Sequence, residues 1–197
     1  MTTKKLVQTG ILLALCLVFQ LLKGISVYIT GPMVNAILIL ASLSCGWYSG
    51  VLIAVVAPLT AMLIGATPIV NAVPAMLPVI MIGNALIAVF AWLFRNRMLP
   101  LGLAIGSCLK AGFLWLSVWY VVLPFFGSGV PEKMQMAAKA TFSVTQLITA
   151  AIGSVIAWLV WARLKKYLAT EAYNAQISKL YICFVMAQPA GFPGRLL

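Results

Sequence analysis

Lys110 is the one ionisable side chain set well inside an apolar run, about ten residues into Leu101–Phe126. A charge at that depth in hydrocarbon is costly unless it is paired or hydrated. Two readings stay open. Lys110 can meet an anionic or carbonyl-bearing ligand in a cavity, or it can snorkel to the nearer interface with its ammonium in water. Four amides, Asn35, Asn71, Asn84 and Gln146, stand in or beside apolar runs. A buried amide needs a partner, on another helix or on a ligand. Asn71, Asn84 and Gln146 therefore join Lys110 as candidate substrate contacts. Trp115, Trp119 and Tyr120 follow on the same run as Lys110. Lys110, Trp115 and Trp119 are expected to share one flank of a helix, within roughly 100° of arc; an aromatic wall beside a cation suits a planar ligand, and Trp115 becomes the fifth candidate. Anchoring at the headgroup level accounts for Trp119 and Tyr120 equally well.

What is missing narrows the chemistry further. The chain has no histidine, and its only carboxylates are Glu132, in a loop, and Glu171, in the tail. General acid–base pairs, nucleophilic triads and carboxylate or imidazole metal sites lack their parts, so no catalytic residue, metal site or cofactor is expected. No Walker-type phosphate loop occurs. Ion-coupled carriers usually place Asp, Glu or His within the bilayer, and the apolar runs hold none. Uphill work would have to come from a partner. Cys16, Cys45, Cys108 and Cys183 have no paired spacing and read as small packing residues.

The elements that carry these residues belong in a bilayer. The chain is 64% hydrophobic and 8% charged, with a mean hydropathy of +1.12. Soluble domains are about 45–50% apolar and about 25% charged. Six apolar runs, each near the ~20 residues that cross ~30 Å of hydrocarbon, predict an all-α integral membrane bundle of six transmembrane helices. The runs are Leu6–Leu22, Met33–Gly46, Trp47–Ala66, Leu77–Phe94, Leu101–Phe126 and Phe142–Leu164. Only Gly46-Trp47-Tyr48-Ser49-Gly50 divides the second from the third.

Charge placement orients the bundle. With the N-terminus inside, Lys4, Lys5, Arg95, Arg97, Arg163, Lys165, Lys166, Lys179 and Arg195 are cytoplasmic, whereas Lys23, Lys133 and Lys139 are outside. Nine against three puts both termini in the cytoplasm. The net charge of +11 is thus a membrane-topology signal, and nucleic-acid binding is not expected. The basic N-terminus and Leu6–Leu22 lack a small-residue cleavage site and read as a retained first helix. The uncharged, proline-bounded loop Thr67–Pro74 reads as a cap on an outward cavity or as an interfacial segment. Residues 1–168 form the membrane domain, and 169–197 a cytoplasmic or interfacial tail.

The order of features resembles a known family. Lys4-Lys5 precede a first helix with Gly10-x-x-x-Ala14; Gly31-Pro32 and two small-residue helices follow. Then come Pro78-Val-Ile-Met-Ile-Gly83-Asn84-Ala-Leu and Phe142-Ser-Val-Thr-Gln146-Leu-Ile-Thr149-Ala. Over residues 4–168 this is similar to the S components of energy-coupling factor transporters, the substrate-capturing membrane subunits of bacterial vitamin importers. The resemblance implies capture of a vitamin-like molecule from outside and its release inward as the subunit topples against a partner. It implies as partners a transmembrane coupling protein and two cytoplasmic ATPases, in a bacterial cell membrane. Gly10 and Ala14 would face the coupling protein. The ligand pocket would map to Lys23–Pro32, Asn84, Lys110, Trp115 and Gln146. The competing expectation is a non-catalytic assembly or regulatory membrane protein whose polar span residues only join helices.

Overall fold

The computed structural model describes residues 3–22, 26–65 and 68–186, with residues 168–186 described by backbone alone. Lys23, Thr67 and Arg195, which entered the loop and charge readings, lie outside the described residues. The chain divides into two units, residues 1–159 and 160–197.

Unit one is a bundle of helices, with no strand among the described residues. In order they are α1 (Thr3–Leu21), α2 (Val27–Cys45), α3 (Trp47–Leu63), α4 (Pro68–Ala72), α5 (Met76–Leu93), α6 (Leu99–Ser117), a π-helical turn (Val118–Val122), α7 (Leu123–Phe126), α8 (Glu132–Thr141) and the start of α9 (Val144–Met186). The protein is thus an all-α membrane bundle. Five helical stretches among the described residues are long and apolar enough to cross a bilayer: Thr3–Leu21, Val27–Cys45, Met76–Leu93, Leu99–Phe126 and Glu132–Tyr167. The sixth apolar helix, α3, has 17 residues.

The break between α2 and α3 falls at Gly46, whose φ of 109° is open to glycine and strained for other residues. The aromatic pair that follows opens α3, with the Trp47 and Tyr48 rings stacked at 3.6 Å. Three boundaries differ from the sequence reading. First, α2 begins at Val27, six residues before Met33, and runs through Pro32. A proline near a helix start removes only one hydrogen bond, and Gly31 before it has no Cβ to clash with the ring. Second, the Thr67–Pro74 segment contains α4, whose Ile69 and Val70 are buried in a cluster with Leu114, Val118 and Phe142. Third, α8 occupies what read as an outer loop; ten mixed residues are too short and too polar to register as a span.

Two hydrophobic clusters among the described residues hold helices of the bundle together. Cys16 of α1, Ile37, Leu38 and Ala41 of α2, and Ile53, Ala54 and Ala57 of α3 form one. The other gathers α4, the end of α6, the π turn and α8 around Val73, Met76 and Val118. Hydroxyls and amides tie the helices across these cores: the Thr9 and Ser49 hydroxyls meet at 2.9 Å, Gln20 donates to the Ala57 carbonyl at 2.9 Å, and Ser42 to that of Ala88 at 2.6 Å.

In the second unit the backbone stays helical to Met186. Arg163, Lys165 and Lys166 are exposed near its start.

Candidate binding cavity

The inward face of α6 is written at helical spacing: Gly102, Leu103, Gly106, Ser107, Lys110, Ala111 and Leu114 are buried. Its glycines let α5 close in. A Cβ at Gly102 would overlap Phe94, and one at Gly106 would lie 3.1 Å from the Phe90 Cβ. One turn further along α6, this close approach brings Lys110 to Asn84 of α5. On the opposite side Gly153 of α9 presses on α2, where an added Cβ would lie 2.6 Å from the Pro32 carbonyl oxygen and 2.7 Å from the Asn35 Cβ. The Ser107 and Ser154 hydroxyls join α6 to α9 at 2.9 Å. Three helices, α2, α5 and α6, thereby converge on one ammonium, with α9 packed against α2 and α6.

Lys110 is 3% exposed, and its Nζ donates to Asn35 Oδ1 and, at 2.7 Å, to Asn84 Oδ1. Of the two sequence readings, the structure adopts the interior one; the side chain does not snorkel. An ammonium has three donors and no acceptor, so both carboxamides must turn their oxygens toward it. Hydrogen bonds to a charged group contribute about 1.5–3 kcal/mol each, which offsets part of the desolvation of a buried cation.

These residues line a cavity of about 440 Å³, within the ~300–1,000 Å³ of small-molecule sites. Its polar wall comes from Gln20, Thr30, Asn35, Asn84, Lys110 and Gln146, and its apolar wall includes Phe19, Ile69, Val70, Ile80, Met134 and Phe142. No acidic side chain lines it among the described residues. The α4 segment and α8 complete the lining, α8 through Met134, Ala137, Ala138 and Thr141.

Asn84, Lys110 and Gln146, all anticipated from sequence, are thus brought together. Asn71 is not: it is exposed on α4 while its neighbours Ile69 and Val70 turn inward. Trp115 is not either. Five residues at about 100° each carry it roughly 140° round the helix from Lys110, so the shared flank expected from sequence does not exist. Its ring is 38% exposed and packs with Trp119 at 6.2 Å and Tyr120 at 6.0 Å. The Lys139 ammonium lies 4.9 Å from the Trp119 ring centroid, linking α8 to the π turn. Gly10 and Ala14 lie on an exposed flank of α1, with nothing within 4 Å of a Cβ built at Gly10.

The sequence named Asn35 as a buried amide but did not join it to Lys110, because 75 residues separate them. Phe19, Gln20 and the α8 residues carried no distinguishing signal, whereas Val27, Thr30 and Gly31 of the lining fall in the Lys23–Pro32 segment to which the resemblance assigned part of the pocket. The family model described as "ECF transporter, substrate-specific component" matches residues 4–164. No curated protein and no solved structure matches the chain.

Proposed function

Because the chain belongs to the ECF transporter substrate-specific components, we propose that its 440 Å³ cavity captures a vitamin-like small molecule from outside the cell. Delivery inward follows docking to a transmembrane coupling protein driven by two cytoplasmic ATPases, in a bacterial plasma membrane. On this reading residues 1–168 are a six-crossing membrane domain with both termini cytoplasmic. The observation that carries the reading is the buried Lys110 ammonium, held by Asn35 and Asn84 in the wall of a cavity inside a membrane bundle. A helix-joining role alone does not require a cavity beside the charge. Asn84, Lys110 and Gln146, together with Asn35, are the proposed ligand contacts.

Gly10 and Ala14 are proposed to face the coupling protein, since α1 leaves them open alongside Leu6, Val7 and Ile11. With no histidine and two carboxylates in the whole chain, a role in transport fits its chemistry better than turnover. Native mass spectrometry of the full chain, purified in mild detergent, tests the proposal. A retained small molecule, lost in Lys110→Met, supports capture. Co-purification of ATPases by a chain that neither retains nor binds any small molecule would favour an assembly protein instead. The double variant Gly10→Leu, Ala14→Leu is expected to keep ligand binding and to lose the coupling protein in pull-downs.

A further inference from the structure

Resting on that capture role, we propose that the cavity selects a molecule carrying a carboxylate on an apolar body, and that Lys110, Asn35 and Asn84 together form the carboxylate receptor. The three side chains are 3%, 2% and 5% exposed, and all line the cavity. Because lysine only donates, each asparagine turns its oxygen to the ammonium and keeps its amino group as a donor for another partner. The cluster therefore presents to a ligand the lysine ammonium, shared with two carboxamide oxygens, and the amino groups of both asparagines, a donor set that an acceptor-only carboxylate matches.

The rest of the wall points the same way. It holds no acidic side chain among the described residues, so nothing in it rewards a cationic ligand, and Lys110 repels one. With side chains this deeply buried, that preference is stronger than it would be at a surface. Away from the cluster, Phe19, Val34, Ile80 and Phe142 supply apolar surface suited to an uncharged body, with Gln20, Thr30, Gln146 and Thr149 as uncharged polar points among them.

The test compares acids with their neutral counterparts on the full-length chain in detergent, by thermal shift and native mass spectrometry. The pairs are pantothenate and pantothenol, lipoate and lipoamide, biotin and biotinamide, and nicotinate and nicotinamide; thiamine and pyridoxine serve as compounds without a carboxylate. One acid is expected to bind at least tenfold more tightly than its neutral counterpart. Lys110→Met should erase that preference, and Lys110→Arg should keep part of it. Should Lys110→Met fail to fold, the wild-type pairs still decide. Equal or tighter binding of a neutral counterpart, thiamine or pyridoxine overturns the carboxylate assignment while leaving capture intact. So does a co-purifying molecule whose accurate mass and fragmentation show no carboxylate. If nothing in the panel binds and nothing co-purifies, capture itself fails, and this assignment with it.

Discussion

A lysine with two asparagine oxygens turned to it makes an unequal partnership. Removing the charge leaves two amides that can re-pair with each other or with water in the cavity, whereas removing an amide leaves a buried cation short of an acceptor. Asn84→Leu deletes the 2.7 Å acceptor and is expected to cost about 1–3 kcal/mol. For a chain of this size that lowers the melting temperature by about 2–4 °C per kcal/mol. Adding Lys110→Met to Asn84→Leu should recover part of the loss, because the stranded charge goes with it. Thermal unfolding of the two single variants and the double in detergent measures this, and simple additivity would show that the contact carries no coupling. At this scale the sequence was informative about which residues matter and blind to how they pair. An ionisable group inside an apolar run announces itself through its cost. Its partner among Asn35, Asn84 and Gln146 depends on how α2, α5, α6 and α9 approach one another, and that is set by small residues far away in the chain.

Those approaches are the business of the helices, and glycine identity tunes them. Gly153 lets α9 touch the α2 backbone at Pro32 and the Asn35 side chain, so Gly153→Ala must push the helices apart against a backbone oxygen 2.6 Å away. Overpacking of this kind typically costs about 1–3 kcal/mol, and here it also displaces Asn35 from Lys110. Gly10→Ala is the contrasting case, with no neighbour within 4 Å; replacing a mid-helix glycine should add roughly 0.8–1.0 kcal/mol of stability. Paired melting curves with a ligand-retention assay check both: Gly153→Ala should lose stability and ligand, and Gly10→Ala neither. A Gly153→Ala protein as stable and as ligand-competent as its parent would mean that the α2–α9 contact does not position the site. Helix existence was legible from apolar runs and from the Gly46 break, since hydrophobic length is a strong signal. Helix ends and flanks were not. Gly31-Pro32 read as punctuation although it lies within α2, α8 was too short and mixed to stand out, and Trp115 lies roughly 140° round α6 from Lys110 instead of on one flank with it.

For the molecule as a whole, the missing proton-transfer groups and the charge asymmetry make separate demands. With no histidine and only Glu132 and Glu171 as carboxylates, the chain has in its apolar runs none of the Asp, Glu or His residues that usually couple an ion gradient. Purified and reconstituted alone in liposomes, it should bind ligand without accumulating it, under either a proton or a sodium gradient; uphill uptake would overturn the subunit role. The topology turns on α3. Its 17 residues extend about 26 Å at 1.5 Å per residue, slightly under the ~30 Å of a typical hydrocarbon core. A small local thinning of the bilayer accommodates such a mismatch at modest cost, and the nine-to-three division of basic residues requires α3 to cross if both termini are inside. Tyr48, at the start of α3 and 68% exposed, is then cytoplasmic, and the exposed Asn71, just past its far end, is outside. In a background with the four native cysteines replaced by alanine, a membrane-impermeant thiol reagent applied to intact cells should label Asn71→Cys and spare Tyr48→Cys, which becomes reactive only after the cells are opened. Labelling of both positions from one side would mean that α3 re-enters without crossing. The bundle would then have five crossings, with its termini on opposite faces of the membrane.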